Sequence, residues 1–199
     1  MAVSSATAYP VYYAVSEDNK IARWRPFVQM FMAFPALFVG AIMNYASQIC
    51  SVIAWFAILI TGKMPAGLAN FIIMVQRFNA RAGGFAFGLT EEYPPFDFTT
   101  TPGDPANYAI RLDVNPALEN RNRLTVFFRI FMMIPVMIFW YVISIGGAIV
   151  GMVAWFAVIA TGSYPVGMRN FVIKAQRYSQ KFLGYGSLLT DEYPGFSLD

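Results

Sequence analysis

The stretch AWFAILITGKMPAGLANF, at residues 54–71, returns one hundred positions later as AWFAVIATGSYPVGMRNF, at residues 154–171. When residues 23–98 are aligned on residues 123–198 without a gap, 26 of the 76 positions are identical. Self-similarity at a fixed period is the mark of internal duplication. The sequence therefore predicts two tandem repeats, at residues 1–103 and 104–199.

The composition is that of a membrane protein. Of the 199 residues, 57% are hydrophobic and only 13% are charged, against roughly 25% charged in a typical soluble domain. Residues 27–60 and 130–161 contain no charged side chain. A helix that spans a bilayer needs about 20 apolar residues. Each run is therefore long enough for two short helices, and we expect a mainly α, integral membrane protein.

Each repeat is predicted to form a transmembrane helical hairpin. The first helix covers residues 26–44 in one repeat and 124–143 in the other, with Pro35 or Pro135 as an internal kink. A break follows at residues 44–48 or 144–148, where polar residues and glycines favour a tight turn. The second helix ends at residue 60 or 160. Because the polar first 25 residues precede the first apolar run, we expect no cleavable signal peptide.

The corner after each hairpin has a helix stop followed by a helix start. Gly62 and Gly162 suit the left-handed position just beyond a helix C-terminus. Pro65 and Pro165 suit the first turn of the next helix. We interpret these four residues as structural corners rather than as a binding site.

A third helix in each repeat, at residues 66–88 and 166–188, has basic residues on one face and aromatic residues on the other. This pattern is typical of a helix that lies in the membrane surface. A third span is the alternative, but cations at mid-bilayer are costly. Such cations attract anionic phospholipid headgroups. The candidate headgroup-binding residues are Arg77, Arg81, Arg169, Lys174, Arg177 and Lys181.

The charges also predict an orientation. Lys and Arg flank both hairpins, and the hairpin tips have none. The positive-inside rule then places both termini of a multi-pass protein in the cytoplasm. Short β-prone segments at residues 9–15 and 108–114 are predicted as strands that flank the helices on the cytoplasmic side.

Few residues are suited to catalysis. The chain has no histidine and one cysteine, Cys50, within an apolar run. The acidic pairs of LTEEYPPF (residues 89–96) and LTDEYPGF (residues 189–196) admit acid–base or metal chemistry, but ion pairing is the simpler interpretation. Their nearest candidate partners are Arg77, Arg177 and Lys181. We expect no enzyme activity, no cofactor, no metal site and no nucleic-acid partner.

Three segments carry a family resemblance: IARWRPFVQMFMAFP, VIAWFAILITGKMPAGLANFIIMVQRF and LTEEYPPF. They resemble the bacterial membrane family known as domain of unknown function 4389, and the second repeat resembles it equally. The resemblance implies a location in a bacterial inner membrane and a tandem layout, with no assigned activity. Ala36 and Val136 stand where the family pattern often has a histidine after the proline, so a role that needs that imidazole is not expected here.

Two functions fit this pattern. The first is a non-catalytic accessory or scaffolding subunit of a larger membrane complex, with other membrane protein subunits as partners. The second is a lipid-binding or small-molecule transport protein, with a cavity between the repeats and anionic membrane lipids as partners. A membrane enzyme ranks last, because no nucleophile has an activating base beside it.

Overall fold

The computed structural model of the chain describes residues 9–16, 20–101, 103–105 and 107–198. The predicted repeats also include residues 1–8, 17–19, 102, 106 and 199, which lie outside the described residues. The elements, in chain order, are β1 (Val11–Val15), α1 (Arg25–Thr61), α2 (Ala66–Ala86), β2 (Ile110–Val114), α3 (Arg123–Phe127), α4 (Arg129–Thr161) and α5 (Val166–Gly186). The protein is mainly helical. Its two halves share the order strand, long helix, inner helix, and the second half has the additional short helix α3.

The predicted hairpins are wrong, because each apolar run folds as one continuous helix. α1 passes through residues 44–48 and α4 passes through residues 144–148 without a break. The small residues at these positions allow another helix to approach closely. A Cβ on Gly147 would lie 2.9 Å from the Cβ of Ala175 on α5. Glycine here permits helix packing and does not form a turn.

Both long helices bury one narrow stripe and expose the rest. The buried positions recur at intervals close to the three and four residues that place side chains on one helix face. They are Pro26, Gln29, Ala33, Ala36, Gly40, Ser47, Ala54 and Ile58 on α1, and Arg129, Val136, Gly147, Gly151, Ala154 and Val158 on α4. In the first repeat this stripe packs on α2, where Ala33 meets Phe85 and Ala36 meets Phe78.

α2 and α5 form an inner layer beneath the long helices. α2 packs against α1 and also against β2, whereas α5 packs against α4 and also against β1. The two strands pair antiparallel, with Tyr13 opposite Leu112 at the centre of the register. Each strand therefore lies on the inner helix of the other repeat. The short strands predicted at residues 9–15 and 108–114 are confirmed over Val11–Val15 and Ile110–Val114.

The corners behave as predicted and also join the repeats. Gly62 and Gly162 end α1 and α4 with φ of 73° and 76°, in the left-handed region. Pro65 and Pro165 occupy the N-cap positions of α2 and α5, one residue before the predicted first turn. The carbonyl of Gly62 accepts a hydrogen bond from the Arg121 N–H at 3.1 Å.

The other corner makes the reciprocal contact, since the carbonyl of Gly162 accepts from the Ile21 N–H at 3.4 Å. The N–H of Met64 donates to the Leu118 carbonyl at 2.8 Å. Residues 20–22 follow β1 and residues 115–121 follow β2. Both ends of each long helix therefore contact the polar segments that flank the strand pair.

Candidate functional site

A cluster of buried charge lies beside the start of α4. Arg121 makes a bidentate pair with Asp191, with Nε to Oδ2 at 2.7 Å and Nη2 to Oδ1 at 2.6 Å. Arg129 also pairs with Asp191 Oδ1. Its Nη1 donates to the carbonyls of Tyr185 at 2.8 Å and Thr190 at 2.6 Å. Two guanidinium groups share one carboxylate, so these three side chains carry a net charge of +1.

The environment of Asp191 keeps its carboxyl ionised. Burial alone would raise its pKa, but the hydrogen bonds and charges of Arg121 and Arg129 outweigh burial and hold the pKa below its ordinary value. Arg129 is 2% exposed, and its Nε has no hydrogen-bond partner among the described residues. The cluster therefore holds an ionised pair together with one further buried cation.

The first repeat builds the same position from a neutral side chain. Gln29, the counterpart of Arg129, donates from Nε2 to the carbonyls of Phe85 at 2.6 Å and Thr90 at 3.0 Å. These carbonyls correspond to the two that Arg129 contacts, at an offset of 100 residues. Ile21 replaces Arg121. The two repeats thus share a backbone frame, but only the second fills it with charge.

The acidic pairs find partners other than those expected. Ion pairing is confirmed for Asp191, but its partners are Arg121 and Arg129 rather than Arg77, Arg177 or Lys181. Glu91, its counterpart, accepts from the backbone N–H of Ala22. These pairings could not be predicted from the sequence, because they form only when the segment before each long helix folds back against the end of the inner helix. No group of three acidic or cysteine side chains within the described ranges is placed to hold a metal ion.

The predicted basic face of α2 is turned inward. Arg77 and Arg81 are 2% and 1% exposed, and both pair with Asp104. Arg77 Nη2 also donates to the Thr101 carbonyl at 3.1 Å. These contacts are incompatible with a headgroup site, so α2 is an inner-layer helix and not an interfacial one. Asp104 is the first residue of the second predicted repeat, and its approach to α2 had no signal in the sequence.

α5 keeps part of its predicted basic face. Arg169 is 4% exposed and donates to the Ser16 carbonyl, so it too supports the fold. Arg177 is partly exposed, and its Nε donates to the Tyr13 carbonyl at 3.2 Å. Lys174 is exposed, and Lys181 is partly exposed with Nζ 5.5 Å from the ring centre of Tyr9. Headgroup contact by these last three residues stays a prediction.

An apolar groove adjoins the charge cluster, between the second half of α1 and the start of α4. Its volume is about 340 Å³. It is lined by Ser51, Val52, Trp55, Phe56, Arg129, Ile130, Met133, Gly186 and Leu188. The Trp55 indole is held there by a hydrogen bond from Nε1 to the Val126 carbonyl at 3.0 Å. We call this cavity the α1–α4 groove.

The repeat symmetry places a smaller groove at the equivalent position, lined by Trp155 and Met30 among others, with a volume of about 240 Å³. There Phe87 lies against Gly151, with Cδ1 2.9 Å from where a Cβ would stand. The α1–α4 groove has Ser187 and Ser51 at these two positions. Phe87 and Ser187 both follow an inner helix with a similar backbone conformation. The ring of Phe87 lines the smaller groove, whereas the smaller Ser187 does not line the α1–α4 groove.

Together these features define a two-repeat helical protein with two long, outward-facing apolar helices and one charged groove. The family described as domain of unknown function (DUF4389) matches the chain twice, at residues 23–97 and 123–197. The chain belongs to this family and contains two copies of its domain in tandem. Comparisons with curated proteins and with solved structures found no match.

Proposed function

We propose that this protein is a non-catalytic membrane protein that serves as an accessory or scaffolding subunit of a larger bacterial membrane complex. One observation carries the proposal: the outer faces of α1 and α4 are largely apolar, with Asn44 and Gln48 as exposed polar residues near the middle of α1. Large exposed side chains on these faces include Phe31, Phe34, Phe38, Ile42, Ile49, Phe56, Ile130, Phe131, Ile138, Ile149 and Phe156.

Both helices are long and apolar enough to cross a membrane. In the most apolar window of each, only 28% of residues in α1 and 22% in α4 are buried within the chain. The core helix of a soluble protein would be mostly buried. Soluble monomers rarely expose contiguous apolar patches above a few hundred Å². Lipid and the apolar faces of other membrane subunits are the surroundings that suit these helices.

The way the long helices end supports an orientation with both termini in the cytoplasm. Each helix follows one of the polar segments that flank the strand pair and ends against the other, as the contacts of Gly62 with Arg121 and of Gly162 with Ile21 illustrate. Arg25 and Lys63 mark the two ends of the charge-free part of α1. The positive-inside rule assigns such basic ends to the cytoplasmic face of the inner membrane, so each continuous helix would enter the bilayer from that face and would not cross to the other side.

Isolation from native membranes tests the scaffolding role. The full chain, extracted in mild detergent at its natural abundance, is expected to co-purify with other membrane subunits in fixed stoichiometry. Native mass spectrometry measures that ratio. A chain that migrates as a lone monomer, with its fold intact by circular dichroism, would contradict the role.

A second candidate function, lipid binding, is favoured by the α1–α4 groove. The groove opens beside Val52, Phe56 and Ile130, which are exposed on the same apolar faces. An amphiphile moving within the bilayer has direct access to it. Transport of a small molecule would need a passage between the repeats, and the α1–α4 groove would be the entrance to that passage.

A further inference from the structure

We infer that the α1–α4 groove binds a single-chain anionic amphiphile, a fatty-acid carboxylate, with its chain along the groove and its carboxylate at Arg129. The inference rests on the proposed membrane location in one respect: the ligand enters from the apolar faces of α1 and α4. It deepens the lipid-binding candidate by naming the class of ligand and the repeat that holds it.

The charge balance at the inner end of the groove favours an anion. Arg121, Arg129 and Asp191 together carry one uncompensated positive charge. Arg129 is almost fully buried, and its Nε lacks an acceptor within the part of the chain that the structure describes. A buried cation is costly unless it is paired and hydrogen-bonded. A ligand carboxylate would neutralise the cluster with a charge-assisted hydrogen bond.

The rest of the groove favours one hydrocarbon chain. Its walls are largely apolar side chains, among them Val52, Trp55, Phe56 and Leu188. Its volume of about 340 Å³ is at the lower end of the roughly 300–1,000 Å³ of ligand pockets. That size suits a single chain rather than a two-chain phospholipid. Val52 and Phe56 are 58% and 55% exposed, so the walls continue into the outer face of α1.

The repeat symmetry supplies an internal contrast. In the smaller groove, the ring of Phe87 packs on Gly151. In the α1–α4 groove the equivalent of Gly151 is Ser51, and Ser187 is too short to line the groove as Phe87 does. The position of Arg129 is held there by Gln29, which has no charge. Both the space and the cation are therefore specific to the α1–α4 groove. We expect one carboxylate site per chain, although the fold is duplicated.

The test is equilibrium binding of radiolabelled palmitate to the full chain purified in a neutral detergent. One saturable palmitate per chain is expected, and the uncharged methyl ester should bind at least ~10-fold more weakly, which corresponds to about 1.4 kcal/mol. Arg129→Gln copies the Gln29 arrangement and leaves the Arg121–Asp191 pair in place. It should weaken palmitate binding by ~10-fold or more and leave the methyl ester unchanged, since the lost term is electrostatic.

Filling the groove is the second arm. Ser187→Phe combined with Ser51→Gly recreates the Phe87–Gly151 pair, so the chain itself provides a packing precedent, and palmitate binding should be lost. Phe87→Ser alters the other groove and should leave the carboxylate site unchanged, as the matched control. Circular dichroism and size-exclusion chromatography show that each variant is folded.

Three results would overturn the inference: no saturable palmitate binding to the natural chain, equal binding of palmitate and its ester, or full binding by the filled, folded variant. Extraction of membranes with alkaline carbonate tests the membrane location separately. A chain that resists extraction yet binds no palmitate refutes this inference alone. A chain that is extracted yet binds palmitate refutes the membrane location alone.

Discussion

Removing the carboxylate that two arginines share should cost much of the protein's stability. In Asp191→Asn, Arg121 and Arg129 keep their backbone contacts but lose the carboxylate with which both form ion pairs, and both guanidinium groups remain almost fully buried. Breaking a buried ion pair by removing one partner costs about 3–5 kcal/mol. For a chain of this length, each kcal/mol lowers the Tm by about 2–4 °C. The expected loss is therefore about 6–20 °C.

The repeat symmetry supplies both the rescue and the control. Arg129→Gln in the Asp191→Asn background removes one unpaired cation and substitutes the side chain that Gln29 uses at the equivalent position. It should restore at least half of the lost Tm. Glu91→Gln is the equivalent change in the first repeat. The Glu91 carboxylate accepts a hydrogen bond from a backbone N–H, and the amide oxygen of Gln can accept the same bond. We expect it to cost less than about 1 kcal/mol.

The assay is thermal unfolding in a fixed neutral detergent, followed by circular dichroism at pH 7. The reasoning would be refuted by Asp191→Asn unfolding within 2–3 °C (about 1 kcal/mol) of the natural chain. A double variant no more stable than Asp191→Asn would also refute it. Equal losses for Asp191→Asn and Glu91→Gln would show that the charge cluster contributes nothing beyond its backbone contacts.

Three further changes test other contacts. The folded-state pKa of Asp191 is depressed, so the stabilisation by its ionised carboxylate is present above its unfolded pKa of about 3.9 and is lost as pH falls through the lower folded pKa. The Tm difference between the natural chain and Asp191→Asn should therefore shrink in acid. A Tm difference that does not depend on pH would contradict this. Gly62→Ala forces a side chain into the left-handed conformation at φ 73° and should cost about 1–2 kcal/mol in chemical denaturation, whereas Gly67→Ala, with open space around it, should cost nothing. Gly184→Ala places a Cβ 2.7 Å from Val11 Cγ2 and should cost about 1–3 kcal/mol, while equal effects of Gly184→Ala and Gly167→Ala would show that the strand packs loosely there.

The duplication, the corners and the short strands followed from the sequence because each has a local signature. Gly62 and Gly162 mark helix ends through their own backbone freedom, and no distant contact is needed to recognise them. The matching Trp55 and Trp155 likewise indicated the internal duplication. These features were predictable from residues that lie within a few positions of one another.

The predictions of the hairpins and of headgroup contact by Arg77 and Arg81 were wrong because both depend on tertiary packing. A glycine-rich segment such as that around residue 147 is typical of a turn in sequence. Only the close contact with Ala175 shows that the glycines there allow another helix to pack. Arg77 and Arg81 look like a surface stripe until Asp104 covers them from the start of the second predicted repeat. The significance of Ser187 is visible only when it is compared with Phe87, at the equivalent position of the first repeat. Such pairings over long sequence separations leave no periodic pattern to read.

The central claim is that α1 and α4 bury their outer faces in lipid while their ends stay on one side of the membrane. Cys50 is the only cysteine, so a Cys50→Ser chain gives a clean background for Lys20→Cys, Lys63→Cys and Tyr45→Cys. A membrane-impermeant maleimide should label the Lys20→Cys and Lys63→Cys chains from the cytoplasmic side only. The Tyr45→Cys chain, whose altered position is 70% exposed in the isolated fold, should stay unlabelled until detergent is added. Labelling of Tyr45→Cys in intact membranes, or labelling of the two lysine positions from opposite sides, would contradict the account.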